Sequence, residues 1–425
     1  MDCDILVIGA GILGLSTAYH AKLANPGSRV TVVDRFGGPG QGNSAKSEGG
    51  FRNLFTSETN FLLADSTIDW MLHLEGNLDH HVGVSRIGYL FLLSEKQYSE
   101  QRRAWDRIGT RAEIQVLERE ELEKRIPALV TQFEEDDEAE LMGIRDIEYG
   151  VLGEKCGTVN ADAFTRAYEK LFLGLGGEVQ YGTEVTDLVV KPKLELKIPG
   201  EPFVWQDAQI KGVKTNRGAI EAETTVVAAG VWSSMLMDPI GVESHMRPKK
   251  RQIFAFKDPR LGPLFHVEGL NKYGSMPLTV LPKSNILFRP ELSEGSIWMA
   301  CADDLGRGFR LEDNPQAEED YYTDGVYHVL AKYFPCFKDL RPMNSWAGQY
   351  AINGFDELPV VKSIPGMIYV GAASGSGIMK SDAIGRIAAA LYAKEEKAEL
   401  FGGRKFRASD LGINNRQAER ETLII

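Results

Sequence analysis

The sequence predicts an α/β protein, α+β overall, in which a unit with a parallel sheet is interleaved with a unit built on a mostly antiparallel sheet. Three observations predict this fold class. A short apolar run at residues 5–8 leads into a glycine-rich turn, a helical stretch and a second apolar run at residues 30–33. Residues 245–261 and 277–302 alternate as strands do and lack long helical patterns. Residues 383–400 are rich in Ala, Leu, Glu and Lys, which predicts a long helix.

The composition is that of a globular protein, with 425 residues of which 43% are apolar and 25% are charged. The length predicts about two to three domains. The net charge of −12 argues against a nucleic-acid partner, because binding phosphates requires a basic face. The four cysteines form no CxxC pair, which predicts reduced thiols and a cytoplasmic location. The scattered histidines predict no metal site, and no apolar run approaches the ~20 residues that a transmembrane segment needs.

The first structural unit is a βαβ motif at the start of the chain. Its first strand, residues 5–8, runs into the GxGxxG pattern of Gly9, Gly11 and Gly14, and its second strand ends in Asp34. The glycines permit a tight turn and close approach of a pyrophosphate, and the acid suits a ribose diol. This context predicts a Rossmann-type dinucleotide site. The cofactor-binding residues predicted here are Gly9, Ala10, Gly11, Ile12, Leu13, Gly14, Asp34 and Arg35.

The connection that follows is unusually rich in glycine. Six of the fourteen residues at 37–50 are glycine, and the segment is longer than an ordinary connection. Its backbone could lie against a flat, phosphate-linked cofactor; the alternative is a flexible surface loop.

Several blocks resemble the D-amino-acid oxidase family of flavoproteins, in the branch of glycine oxidase, sarcosine oxidase and dimethylglycine dehydrogenase. These blocks are residues 7–19, 50–52, 88–92, 157–163, 225–233 and 374–386, in the family's order. The resemblance implies FAD, an FAD-binding domain and a substrate domain. The further cofactor-binding residues that it implies are Gly42, Asn43, Ser44, Gly49, Gly50, Val185, Ala229, Gly230, Trp232, Gly348, Gly375, Ser376, Gly377, Ile378, Met379 and Lys380.

The chain departs from its relatives where they attach the flavin covalently. Ala45 stands at the position of the attaching histidine, and the position of the attaching cysteine falls near Gly348. Both differences predict non-covalent FAD.

The residues aligned with the family's substrate site predict a carboxylate-bearing small molecule as substrate. Arg52 aligns with an arginine that binds the substrate carboxylate, a task that suits the planar guanidinium. The family's lysine aligns with Met379, so Lys380 is one residue late and could instead lie on the surface. The predicted catalytic residues are Arg52, Lys380, Tyr350 and Arg289.

The expected layers interleave along the chain. The FAD-binding domain is expected at residues 1–85, 150–235 and 340–400, and the substrate domain at 86–149 and 236–339. A C-terminal tail is expected at 401–425, polar and loosely held after Asp410.

The function that the resemblance implies is oxidation of the C–N bond of a glycine- or sarcosine-like amine by hydride transfer to flavin N5. A 2-hydroxy acid or glycerol phosphate as substrate, a non-enzymatic flavoprotein assembly factor and a nicotinamide enzyme are the alternatives. Oxygen, a quinone and an electron-transfer protein all remain open as electron acceptor.

Overall fold

Two eight-stranded sheets make up most of the computed structural model, which describes residues 2–283, 285–302, 306–414, 416, 421 and 423. The strands in chain order are β1 Cys3–Ile8, β2 Val30–Asp34, β3 Gly50–Phe51, β4 Tyr89–Leu93, β5 Ile114–Glu118, β6 Tyr149–Gly153, β7 Gly157–Thr158, β8 Glu178–Tyr181, β9 Val185–Pro192, β10 Ala208–Thr215, β11 Gly218–Val227, β12 Met246–Phe256, β13 Leu278–Val280, β14 Ile286–Glu291, β15 Ser296–Cys301, β16 Asn344–Asn353, β17 Val360–Ile364, β18 Met367–Gly371, β19 Lys397–Glu399 and β20 Lys405–Arg407. The helices are α1 Ile12–Ala24, α2 Glu58–Asn77, α3 Glu95–Gly109, α4 Arg119–Arg125, α5 Asp137–Met142, α6 Ala161–Gly174, α7 Ser233–Met237, α8 Tyr327–Tyr333 and α9 Gly377–Tyr392.

The first sheet has the strand order β17-β18-β11-β1-β2-β8, and β10 and β9 extend it beside β11. The strands from β18 to β8 are parallel. Helices α1, α2, α6 and α9 contribute to the apolar core on one side of this sheet. The parallel sheet confirms the α/β class, because parallel strands need helical crossovers and buried faces.

The second sheet has the order β16-β12-β15-β14-β13-β4-β6-β5. Every neighbouring pair in it is antiparallel except β4 with β13. A separate apolar core, rich in Phe and Tyr, packs against it. This is the mostly antiparallel sheet that the alternating segments predict.

Two strands lie in a different layer from the one the sequence boundaries suggest. Strand β6 falls inside the stretch 150–235 apart from its first residue, yet it pairs with β4 and β5 of the second sheet. Strand β16 falls inside 340–400, yet it pairs with β12 over ten residues. Sheet membership depends on partners distant in sequence, which local patterns do not specify.

The last helix and the tail also differ from expectation. Helix α9 begins at Gly377 and ends at Tyr392, because Lys394 adopts a left-handed conformation with φ +59° and the chain turns into β19. The tail is held at the described residues beyond 414. Arg416 forms an ion pair with buried Asp356, and Glu421 and Leu423 are buried. The other expected tail residues from 415 onward lie outside the described part.

Candidate active site

A cavity of about 570 Å³ lies between the two sheets. The carboxyl ends of β1, β2, β11 and β18 reach it from the first sheet, and β12, β14, β15 and β16 line it from the second. The crevice at the carboxyl ends of parallel strands is the usual ligand site of such folds. This volume is within the range of small-molecule sites.

The turn after β1 forms one end of the cavity. Gly9 has φ +107°, and a Cβ there would lie 2.6 Å from the Ala228 carbonyl oxygen. A Cβ on Gly14 would lie 1.9 Å from the Gly9 carbonyl oxygen, so the helix can pack this closely only with glycine. Ser44 accepts a hydrogen bond from the Ile12 N–H at the start of α1. The N-terminus of α1 therefore presents its backbone dipole to the cavity.

Asp34 ends β2 at the cavity wall. Its carboxylate accepts hydrogen bonds from the backbone N–H groups of Ala10 at 2.6 Å and Phe36 at 2.8 Å. Burial raises the pKa of Asp34, while these two bonds oppose the rise. Each carboxylate oxygen can accept a further bond, so Asp34 can hold this turn and also contact a ligand hydroxyl.

An aromatic corner closes this end. The Arg35 guanidinium lies 4.3 Å from the centre of the Trp232 ring, and Trp232 donates a hydrogen bond to Asp313. Gly42 lies against the same Trp232 ring. The Trp232 ring offers a flat surface for stacking and the Arg35 guanidinium offers hydrogen-bond donors, and together these suit an aromatic heterocycle.

The opposite end is formed by the turn between β18 and α9. Gly375 has φ +80°, and a Cβ there would lie 2.3 Å from the Tyr350 ring. Helix α9 begins with Ser376 as its N-cap, and this side chain makes no capping hydrogen bond. The positive end of a sixteen-residue helix is therefore directed at the cavity.

Two cations lie together beside that turn. Lys380 is 1% exposed and donates hydrogen bonds of 2.6 Å to Asn60 Oδ1 and to Ser376 Oγ. Burial, and then the charge of Arg52, lower the pKa of Lys380 to about 7. Arg52 is buried, and its guanidinium and the Lys380 ammonium lie 4.2 Å and 4.7 Å from the centre of the Phe55 ring. Two buried cations this close repel each other, and a nearby anion stabilises the charged form of both.

Residues near the end of the described chain contact Arg52 and the segment beside the cation pair. Arg52 donates hydrogen bonds to the carbonyl oxygens of Leu54 and Leu423, the second at 2.7 Å. The buried Glu421 carboxylate accepts bonds from Thr56 N–H at 2.9 Å, Thr56 Oγ1 at 2.6 Å and Asn60 Nδ2 at 3.4 Å. Sequence reasoning missed both contributors, because more than 350 residues separate them from Arg52 and Thr56.

Glu48 is a third residue that sequence reasoning missed. It lines the cavity, is half-buried, and makes no hydrogen bond or ion pair with the part of the chain that the structure describes. Burial raises the pKa of Glu48 to about 7, and the charge of Arg289 opposes this rise. The signal in the sequence is that Glu48 lies within the glycine-rich stretch 37–50, but glycines indicate a role for the backbone and do not indicate one for a neighbouring side chain.

Most of the predicted site residues lie in the cavity wall, with four exceptions. Ala10, Gly14 and Gly49 lie behind the lining and shape it; a Cβ on Gly49 would lie 2.0 Å from the Val159 carbonyl oxygen. Arg289 is turned away: it pairs with Glu291 at 2.7 Å and stacks on Trp298. The predicted residues that line the cavity are Gly9, Gly11, Ile12, Leu13, Asp34, Arg35, Gly42, Asn43, Ser44, Gly50, Arg52, Val185, Ala229, Gly230, Trp232, Gly348, Tyr350, Gly375, Ser376, Gly377, Ile378, Met379 and Lys380.

Neither a membrane span nor a metal cluster emerges from the described residues. No helix there is long and apolar enough to cross a membrane. Nor do three or more His, Cys, Asp or Glu side chains in that part of the chain come together as metal ligands could.

Comparison with known proteins gives a consistent result. Residues 4–391 match the model of the DAO family, described as FAD dependent oxidoreductase. FAD-dependent oxidoreductase domain-containing protein 1 of Xenopus laevis is 25% identical over 426 residues, which cover 91% of this chain and 78% of that protein. The crystal structure of L-proline dehydrogenase from P. horikoshii superposes with a TM-score of 0.74 at 21% identity and 96% coverage of both chains. That of glycine oxidase from Geobacillus kaustophilus gives 0.72 at 18% identity, covering 98% of this chain and 99% of the other.

Proposed function

The chain belongs to the DAO family of FAD-dependent oxidoreductases, and from that premise we propose that it oxidises the C–N bond of a small amino acid or amine. The observation that carries the proposal is the buried pair of Arg52 and Lys380 in the cavity wall, beside the N-terminus of α9. The pair provides two positive charges for a substrate carboxylate. Solved proteins named as a glycine oxidase and an L-proline dehydrogenase share the fold, and both names specify amino-acid substrates.

The residues of the cavity fit FAD. The N-terminus of α1 and the turn at Gly9 and Gly11 would hold the pyrophosphate, and Asp34 would contact the ribose beside it. The Arg35 and Trp232 corner would receive the adenine. The start of α9 would face the flavin, where its dipole favours negative charge. When bound, FAD accepts the hydride.

The substrate would lie between the flavin region and the cations. Arg52 would bind its carboxylate bidentately, after giving up the bond to the Leu423 carbonyl. Lys380 would contribute a second charge while Asn60 and Ser376 hold its ammonium in place. Phe55 and Tyr89 would exclude water from this end, because both rings are buried against Arg52.

The proposal is tested by mixing the purified holoprotein anaerobically with a panel of amino acids, N-methylated amino acids, 2-hydroxy acids and glycerol phosphate. Bleaching of the flavin by an amine or amino acid, and not by hydroxy acids, is the expected result. Replacing Arg52 by Ala should raise the KM for that substrate by at least about tenfold, since charge-assisted hydrogen bonds contribute roughly 1.5–3 kcal/mol. Bleaching by hydroxy acids alone would contradict the proposal and indicate a 2-hydroxy acid as the substrate. An unchanged KM in Arg52→Ala would show that Arg52 does not bind the substrate.

The electron acceptor and the compartment are further parts of the proposal. We keep oxygen, a quinone and an electron-transfer protein as candidates; reoxidation of the bleached flavin by each in turn separates them. The cytoplasmic location stays a prediction from the unpaired cysteines, and fractionation of cells that express the tagged protein tests it.

A further inference from the structure

We propose that Glu48 binds the ammonium group of the substrate and thereby selects ligands that carry a positive nitrogen beside a carboxylate. The inference rests on the proposed function and goes further, because it names the chemical class that the site accepts. It assigns a specificity role to a residue of the glycine-rich connection, outside the cation pair.

The first support is that Glu48 lacks a partner in the described part of the chain. A carboxylate in a largely apolar wall is expensive unless an opposite charge or donors satisfy it. Arg289, the cation close enough to influence Glu48 electrostatically, already pairs with Glu291 at 2.7 Å. The Glu48 carboxylate faces the cavity and is free to receive a cation there.

The second support is its place relative to the carboxylate-binding pair. Tyr89 of β4 is the shared neighbour: its ring centre lies 6.0 Å from the Arg52 guanidinium, and the Glu48 charge acts on its hydroxyl. Arg52 and Glu48 therefore both lie near the same aromatic side chain. A small zwitterion placed against Tyr89 can present its carboxylate to Arg52 and its ammonium to Glu48.

The third support is the surroundings of Glu48 on the remaining elements. A Cβ on Gly50 would lie 2.8 Å from a Leu278 methyl group of β13 and 3.5 Å from Glu48 Oε1, so the Glu48 carboxylate lies close to Gly50 and β13. Tyr350 of β16 lines the same cavity, where the charge of Glu48 contributes to raising its pKa, and the Arg251 guanidinium of β12 lies 5.3 Å from the centre of the Tyr350 ring. Burial raises the pKa of Tyr350 to about 12, so this side chain stays neutral and adds no second negative charge beside Glu48.

The test uses two inert ligands of nearly equal shape, α-aminoisobutyrate and pivalate. Both present a carboxylate, but only the first carries an ammonium group. Neither has a hydrogen on the carbon that would be oxidised, so binding is measured without turnover. Dissociation constants are read from the change in the flavin absorbance of the holoprotein, and by calorimetry as an independent readout.

The wild-type protein at about pH 8 should bind α-aminoisobutyrate at least about tenfold more tightly than pivalate, the effect of one charge-assisted contact. Glu48→Gln should bring the ratio close to one, and Glu48→Asp should keep part of it. Glu184→Gln removes a carboxylate from the far end of the same cavity and should leave the ratio unchanged.

A second measurement needs no variant. Lowering the pH through about 7 protonates Glu48, so the wild-type preference for the ammonium ligand should shrink. Titration of Lys380 acts on the carboxylate that the two ligands share and therefore cancels in the ratio. Guanidinium groups keep their charge over this range.

The inference is overturned if wild-type protein shows no preference for α-aminoisobutyrate, or if Glu48→Gln retains it. Failure of the proposed function looks different, because then no amine bleaches the flavin. Amine bleaching together with an unchanged ratio in Glu48→Gln would reject the role of Glu48 alone.

Discussion

At the scale of single residues, Arg52 and Lys380 can both bind an anion, but their charges depend differently on pH. A guanidinium group keeps its charge at every physiological pH. Lys380 loses its charge easily, because burial and the neighbouring guanidinium both disfavour the ammonium. The strength of the anion site should therefore depend on pH through Lys380.

We predict that affinity for pivalate falls as the pH rises through about 7, because the pKa of Lys380 is lowered to about 7 and the neutral amine attracts no carboxylate. Lys380→Met should bind pivalate more weakly at about pH 6 and should show a shallower pH dependence, because only Glu48, whose pKa burial raises to about 7, would then titrate in this range beside the ligand. Flavin absorbance titrations across the range measure both effects. If the affinity of Lys380→Met for pivalate depended on pH as steeply as that of the wild-type protein, a group other than Lys380 would cause the dependence.

Single residues also decide how the cofactor is held. Gly348, near the expected position of an attaching cysteine, has no side chain, and Ala45 is exposed. We predict that acid precipitation leaves a colourless pellet and a yellow supernatant. Cys301 also lines the cavity. A yellow pellet that turns colourless in Cys301→Ser would contradict the prediction and identify the attachment.

At the scale of elements, one buried carboxylate joins three helices. Asp382 of α9 accepts hydrogen bonds from His20 of α1 at 2.7 Å and Tyr168 of α6 at 3.1 Å. It also pairs with Arg386 one turn later in α9. Asp382 is fully buried, so these contacts keep α9 in register behind the cation pair.

We predict that Asp382→Asn lowers the free energy of unfolding by about 3 kcal/mol or more, because it leaves Arg386 without its counter-charge and removes the carboxylate that accepts the hydrogen bond from His20, whose pKa is lowered by burial. Urea unfolding followed by circular dichroism measures the change. Asp162→Asn on α6 is the control: its pair with Arg166 is exposed and should contribute less than about 0.5 kcal/mol. Equal losses in the two variants would argue against the buried network.

The elements that the sequence predicts well are those with local signals. Strand β1, the start of α1 and β2 lie where the apolar runs and glycines indicate, because a tight turn and a buried strand are specified by neighbouring residues. Strands β6 and β16 have no local mark of their sheet. Likewise Glu421 reaches Thr56 only through tertiary packing, and the role of Glu48 depends on Tyr89 from another layer. The roles of residues within one local motif could be predicted from the sequence. The roles of residues that meet only through packing of the two sheets could not.

At the scale of the whole molecule, the chain crosses between the two sheets several times. Residues of β4, β12 and β16 in the second sheet line the same cavity as residues of β1, β2 and β18 in the first. Both halves of the site therefore depend on both layers. The acidic chain, with a net charge of −12, concentrates positive groups at this junction through Arg52, Lys380 and the two helix N-termini.

One segment, the excursion at residues 193–207 between β9 and β10, does not contribute to the cavity between the two sheets. Strands β9 and β10 pair up to Pro192 and Ala208, and residues 193–207 extend beyond this point. Trp205 in the excursion is 72% exposed, and Glu201 accepts hydrogen bonds from Leu196 and Ile198 of the same segment. The excursion contributes little to either core.

We predict that replacing residues 193–207 by the two-residue turn Asn-Gly changes the free energy of unfolding by less than about 1 kcal/mol, because that turn suits an antiparallel pair and the deleted side chains are mostly exposed. Flavin content and the bleaching rate should also stay the same, since the segment does not line the cavity. Thermal unfolding and the flavin-to-protein absorbance ratio measure this. Ile210→Ala in the same hairpin is the control: Ile210 is buried, so its truncation should cost about 2–5 kcal/mol. If the shortened protein loses its flavin while Ile210→Ala keeps it, the excursion must contact the cofactor region, and the independence argued from its exposure is wrong.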